Sequence, residues 1–145
     1  MDWEAFTVGL AEELANLPAG ALVVILEPVE TDRQRYVQFA QSSTELFAYV
    51  VVNSFLERDE VRATPRGEEV IMDAGWRCPE GMHENWWQEL RWPASSRQYR
   101  DLARAIAIAL RDGYRIGDIS HWRYRAWNEE TGDLIELPKL GLARE

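Results

Sequence analysis

The sequence has 145 residues, of which 46% are hydrophobic and 28% are charged, and its formal net charge is −9 at pH 7. A chain of this length buries enough surface for a self-sufficient core, and its composition excludes intrinsic disorder. The negative charge repels a phosphate backbone, which argues against nucleic-acid binding. The apolar runs are too short to span a bilayer, and the acidic N-terminus is unlike a secretory signal. We therefore expect one domain over residues 1–145, located in the cytoplasm, with neither nucleic-acid nor membrane partners.

The first predicted element is an amphipathic helix. Asp2 is placed to cap it, and its apolar residues recur at spacings of three and four, which gives one stripe for a core. The stripe consists of Trp3, Phe6, Leu10, Leu14 and Leu17. After Pro18 and Gly20, the continuous apolar run from Ala21 to Leu26 predicts a strand that is buried on both faces.

Two more strands are predicted to complete a meander. Pro28 with Thr31-Asp32 indicates a turn, after which residues 35–41 and 46–53 form alternating strands around a loop at residues 42–44. Connections as short as these suit antiparallel hairpins and exclude parallel crossovers.

The second half of the chain predicts two helices and further strands. Thr64-Pro65 begins a short helix that ends at Ala74, with Gly75 as its left-handed cap. Ser95 or Ser96 begins the longest helix, which ends at Gly113. The turn signal at residues 128–132 predicts a C-terminal β-hairpin. The predicted fold class is α+β, in the order α-β-β-β-α-β-α followed by that hairpin.

The most distinctive segment is residues 75–93, which contains four of the seven Trp residues. Side chains alternate along the strand that it predicts, with Trp86 and Trp92 on one face and Trp87, Glu89 and Arg91 on the other. This pattern indicates a half-buried strand with one Trp facing outward. The seven Trp residues of the chain fall into a core group and an exposed group. We expect four in the core, Trp3, Trp76, Trp86 and Trp92, and three at an exposed face, Trp87, Trp122 and Trp127.

Patterns typical of catalysis and cofactor binding are weak. The only cysteine, Cys78, and the two histidines, His83 and His121, match no zinc signature. No sequence around Cys78 resembles a nucleophile turn, and the glycines form no phosphate-binding loop. We therefore predict no enzyme activity, no cofactor and no metal site.

Short landmarks across residues 34–142 resemble a known family. They include YVQFA at residues 36–40, Gly75-Trp76 followed by Pro79, Asn85-Trp86 leading into a strand that ends at Trp92, the helix end LRDGY, and YRAW at residues 124–127. The chain is similar to the TY-Chap family of actinobacterial peptide-binding proteins, named for its likeness to type III secretion chaperones and to YbjN. The resemblance implies helices packed on one face of a mostly antiparallel sheet, noncatalytic binding of a peptide or protein client, and a possible homodimer.

Aromatic side chains then define the predicted binding site, because Trp and Tyr anchor many protein interfaces. The predicted partner-binding residues are Trp87, Glu89, Trp122, Tyr124 and Trp127. They would hold the client at an exposed sheet edge or in an aromatic groove, and the acidic surface favours a basic client. The alternative is an inhibitory or immunity-type protein that binds one folded target through that acidic surface.

Overall fold

A computed structural model describes residues 2–29 and 33–145 of the chain. Its α-helices are α1 (Trp3–Ala15), α2 (Pro65–Asp73) and α3 (Ser96–Ile108). Its strands are β1 (Ala21–Leu26), β2 (Tyr36–Gln41), β3 (Glu45–Val50), β4 (Trp86–Arg91), β5 (Arg123–Asn128) and β6 (Ala143–Arg144). The α+β class is therefore confirmed. The turn predicted at Thr31-Asp32 lies outside the described residues.

The strands form one sheet in the order β4-β3-β2-β1-β5-β6. Its neighbouring strands are antiparallel except for β5 and β6, which run parallel. The predicted meander β1-β2-β3 is present, and β5 inserts beside β1 on its other side.

The predicted C-terminal hairpin is reduced to a single bridge. After β5 the chain turns back at residues 128–132, and Trp127 pairs antiparallel with Leu134 alone. The next segment leaves the sheet because Leu137 and Leu140 are buried in the core and the Lys139 N–H donates to the Glu13 carboxylate of α1 at 2.8 Å. The chain rejoins the sheet only at β6.

The helix ends follow the predicted capping residues. The Asp2 carboxylate accepts from the Ala5 N–H, and Thr64 Oγ1 accepts from the Gly67 N–H. Ser95 forms a capping box with Gln98 at the start of α3, which continues through a wide turn at Ala109–Gly113. These side chains satisfy N–H groups that a helix leaves unpaired at its N-terminus.

Alternating burial separates the two faces of the sheet. On one face, side chains from β1, β2, β3 and β5 are buried in a single core with residues of the helices. On the other face, Leu22, Val24, Gln38, Phe47 and Tyr49 are only half-buried. The prediction that β1 is buried on both faces is therefore wrong at Leu22 and Val24, because the helices contribute their buried residues to the core on one side of the sheet alone; it is right at Leu26, which is 1% exposed.

Candidate functional site: the open face of the sheet

The helix-free side of the sheet, called the open face below, consists of two rows of side chains that cross five strands. The strand registers place each residue directly opposite its neighbour in the row. The first row is Trp127, Leu22, Ala40, Phe47 and Glu89, and the second row is Arg125, Val24, Gln38, Tyr49 and Trp87. The four strand spacings from β5 to β4 place the ends of each row about 19 Å apart.

A shallow groove lies along part of the first row. It has a volume of about 320 Å³, and three residues of the row, Leu22, Ala40 and Phe47, line it. Its other lining residues include Gln41, Ser42, Ser43, Glu129 and Glu130. The small side chain of Ala40 leaves room between its larger neighbours. The groove therefore combines an apolar strip with polar and acidic groups, and Glu89 is exposed outside it, at the β4 end of the row.

The β4 end of the open face carries three aromatic side chains, Phe47, Tyr49 and Trp87, which we call the aromatic cradle. The His83 ring stacks on Trp87 with centroids 4.0 Å apart, and its centroid lies 5.2 Å from that of Phe47. Tyr49 Oη lies 3.0 Å from His83 Nδ1. Burial raises the pKa of the Tyr49 hydroxyl above its ordinary value of 10.0, so this group keeps its proton at neutral pH.

His83 belongs to a loop at residues 77–83, which we call the flap, that folds over Trp87. The Arg77 N–H donates to the Trp87 carbonyl at 3.0 Å, and the Trp87 N–H donates to the Arg77 carbonyl at 3.1 Å. The Arg77 guanidinium lies 4.7 Å from the centroid of the Trp87 ring. The indole N–H of Trp87 donates to the Cys78 carbonyl at 3.2 Å. The flap thus covers both the ring of Trp87 and the outer edge of β4 at that residue.

A second depression lies beside the second row. It has a volume of about 420 Å³ and is lined in part by Val24, Tyr36, Gln38, Arg125 and Glu145. An ion pair between Arg125 and Glu145, with Nε and Oε1 3.2 Å apart, closes one side. This depression is more polar than the groove, so the groove is the better place for apolar client side chains.

The structure brings three of the five predicted partner-binding residues to the open face. Glu89 is exposed there and Trp127 is half-buried. Trp87 lies on the predicted face but is only 6% exposed, so the prediction of an exposed Trp is wrong at this position because the flap covers the ring. A role for these residues in partner binding stays a prediction.

The other two predicted residues belong to the core. Trp122 is 1% exposed and Tyr124 is 4% exposed. Trp122 belongs to the connection before β5, which is buried in the core together with Ile116 and Ile119. The Tyr124 hydroxyl accepts from the Leu137 N–H at 3.0 Å, under the C-terminal segment. The expected exposure of Trp122 is wrong, and neither side chain is available to a partner in this conformation.

Of the four Trp residues predicted for the core, two are buried and two are not. Trp76 and Trp86 are buried, and the Trp76 indole N–H donates to the Ala105 carbonyl at 3.1 Å. Trp92 is 36% exposed because it lies just beyond the end of β4. Trp3 is only partly buried, and its indole N–H donates to the Gly117 carbonyl at 3.3 Å. The core prediction is wrong for Trp92 and only partly right for Trp3.

The sequence prediction missed most of the residues that form the groove and the cradle. Leu22, Ala40, Phe47 and Tyr49 lie on the three strands of the predicted meander, from which no partner-binding residue is predicted. The useful signal was the alternation in residues 46–50, which places two aromatic side chains on the face opposite Leu46 and Ala48.

Residues 2–29 and 33–145 contain neither a metal-binding cluster nor a membrane-spanning helix. No three His, Cys, Asp or Glu side chains in these ranges gather in a way that could hold a metal ion. Within the same ranges, no helix has both the length and the apolar character needed to cross a membrane.

Comparison with known proteins gives a family match. No curated protein and no solved structure matches the chain significantly. One family model, TY-Chap3, described as "T3SS (YopN, CesT) and YbjN peptide-binding chaperone 3", matches residues 1–128. Because that match covers most of the 145 residues, the chain belongs to the TY-Chap3 family of peptide-binding chaperones.

Proposed function

We propose that the chain is a nonenzymatic cytoplasmic protein that binds an extended segment of a client protein on the open face of its sheet. One observation carries this proposal: the sheet has one face buried under helices and one face whose apolar and aromatic side chains stay half-buried. Membership of a peptide-binding chaperone family supports it. About six extended residues would cross the open face from β5 to β4.

The composition of the groove favours weak, adaptable binding. Covering roughly 300 Å² of apolar surface would contribute about 7 kcal/mol, and the loss of translational and rotational freedom on association consumes much of this. We therefore expect dissociation constants in the micromolar range or weaker for short peptides. Affinity of this order suits a chaperone, which has to release its client.

The charges around the groove favour a basic client. Glu129 and Glu130 line the groove near β5, Glu89 is exposed at the β4 end of the first row, and the whole chain has a formal net charge of −9. Carboxylates at both ends of the open face would attract Lys or Arg side chains that flank an apolar stretch of the client. Binding should accordingly weaken as the salt concentration rises.

The test compares one substitution on two surfaces. Val24→Arg places a long cationic side chain on the open face beside Arg125, whereas Val8→Arg places the same side chain on α1, where Val8 is already 51% exposed. Peptides selected from a randomised library against the wild type are titrated into both variants by fluorescence anisotropy. We expect Val24→Arg to weaken binding at least tenfold and Val8→Arg to leave it unchanged.

Equal affinity of both variants would contradict the proposal, as would a library that yields no binding peptide. The alternative, an inhibitory protein, predicts that short peptides fail and that one folded target binds with nanomolar affinity. The homodimer that the resemblance implies is a separate part of the proposal. Sedimentation equilibrium tests it by giving the mass of either one chain or two.

A further inference from the structure

The aromatic cradle already holds two side chains of the flap. The Arg77 guanidinium lies 4.7 Å from the Trp87 ring centroid, and the His83 ring stacks on Trp87 with an interplanar angle of 19°. Both groups are planar and carry N–H donors, and one is a permanent cation. In the free protein, the cradle therefore already binds flat groups that carry N–H donors, and these groups come from the chain itself.

We propose that the aromatic cradle is a subsite for an arginine side chain of the client, and that the flap occupies this subsite until the client displaces it. The inference rests on the proposed function and identifies both a specificity element and a competitor within the same site. Arginine fits better than lysine because its flat guanidinium stacks on aromatic rings and keeps its N–H groups free at the edge.

Carboxylates near the cradle can receive those N–H groups. Glu89 lies directly opposite Phe47 on the neighbouring strand, and its side chain is exposed. Glu84 follows the flap in the chain, and its side chain is also exposed. A guanidinium that stacks on the Trp87 ring while hydrogen-bonding to a carboxylate gains both an aromatic and a charge-assisted contact.

The flap is suited to displacement because most of its residues are exposed, so that its contacts with the sheet are the main groups a client has to replace. Residues 77–82 are all solvent-accessible, and Met82 is 85% exposed. Its contacts with the sheet include the backbone pair between Arg77 and Trp87, the indole hydrogen bond to the Cys78 carbonyl, and the ring contacts of His83. A client that replaces these contacts exposes little additional apolar surface.

A pair of peptides and three variants test the inference on the whole chain. The probe is a fluorescein-labelled peptide of alternating Val and Thr with one central Arg, and its partner carries citrulline, which keeps the planar shape and removes the charge. His83→Ala removes the stacked ring, and Tyr49→Phe removes only the hydroxyl next to His83 Nδ1. Met82→Ala is the control, because it alters an exposed flap residue.

We expect the wild type to bind the Arg peptide about fivefold more tightly than the citrulline peptide, since the cation–π and ionic contacts are lost with the charge. His83→Ala should bind the Arg peptide about fivefold more tightly than the wild type, because the competing ring is gone. Tyr49→Phe should also bind the Arg peptide more tightly than the wild type, and Met82→Ala should bind it with unchanged affinity. The Trp87 indole N–H resonance, assigned with Trp87→Phe, should shift when the Arg peptide binds, because its bond to the Cys78 carbonyl opens.

Equal affinity for the Arg and citrulline peptides would overturn the inference, as would His83→Ala binding no more tightly than the wild type. Either result leaves the proposed function standing if Val24→Arg still weakens peptide binding at least tenfold. If neither peptide binds any variant and the randomised library is also empty, both the inference and the proposed function fail.

Discussion

Gly67 in α2 gives the sharpest stability prediction, because two physical effects of Gly67→Ala oppose each other. Inside a helix, alanine is favoured over glycine by about 1 kcal/mol. A Cβ atom at Gly67 would however lie 2.3 Å from the carbonyl oxygen of Gly113, where ordinary contacts are 3.4–4 Å. That oxygen belongs to the backbone at the end of the wide turn that follows α3, so α2 would have to move by about 1 Å. Overpacking of this kind costs about 1–3 kcal/mol.

We expect the steric cost to exceed the propensity gain, because the contact is with backbone and cannot relax by a rotamer change. Gly67→Ala should lower the free energy of unfolding by about 1 kcal/mol, because a steric cost of about 2 kcal/mol is partly offset by the propensity gain. This corresponds to a shift of about 0.5 M in the urea midpoint for a chain of this size. Circular dichroism at 222 nm during a urea titration measures this shift in the midpoint.

Gly117→Ala is the matched control. No heavy atom lies within 4 Å of a Cβ built at Gly117, and its φ is outside the left-handed range. Its urea midpoint should stay unchanged or rise slightly. If Gly67→Ala proves as stable as the wild type, α2 does not pack closely against the carbonyl oxygen of Gly113, and the reasoning is wrong.

Three further substitutions test other contacts. Glu27 accepts two hydrogen bonds from Arg35, at 3.1 and 2.6 Å; burial raises the pKa of Glu27, but this contact outweighs it and lowers the pKa. Glu27→Gln should therefore lower the free energy of unfolding by about 2 kcal/mol at pH 7. Urea titrations at pH 7 and pH 3 should show that this loss fades as the pH drops below the ordinary carboxyl pKa. Asn128→Ala removes a bond to the Ala19 carbonyl and two turn contacts, so thermal melting should show a loss of about 2 kcal/mol. Ser95→Ala removes the capping box of α3 and should cost about 1 kcal/mol in the same assay.

Local signals in the sequence were sufficient to predict most of the fold. The spacing of apolar residues and the caps at Asp2, Thr64 and Ser95 placed the starts of all three helices within one residue, whereas the longest helix was predicted to end at Gly113 and α3 ends at Ile108. Short polar connections predicted the antiparallel meander. These features depend on neighbours along the chain, which is why a single sequence reveals them.

The errors arose where burial depends on distant segments. Trp87 alternates outward as predicted, yet the flap covers it through contacts that strand periodicity does not encode. Trp122 and Tyr124 are buried in the same core as Leu137 and Leu140 of the C-terminal segment, which leaves the sheet for the helix side. The open face itself was hidden because the half-buried Leu22 and Val24 look identical in sequence to core residues.

Paramagnetic relaxation enhancement is the most direct test of the central claim that a client lies on the open face. A peptide selected from the library, carrying a nitroxide at one end, is added to the uniformly ¹⁵N-labelled protein. We expect strong broadening of amide signals from Leu22, Ala40 and Tyr49, and little at Val8 or Arg104 on the outer sides of α1 and α3. Broadening confined to the helices, with the sheet signals unchanged, would contradict it.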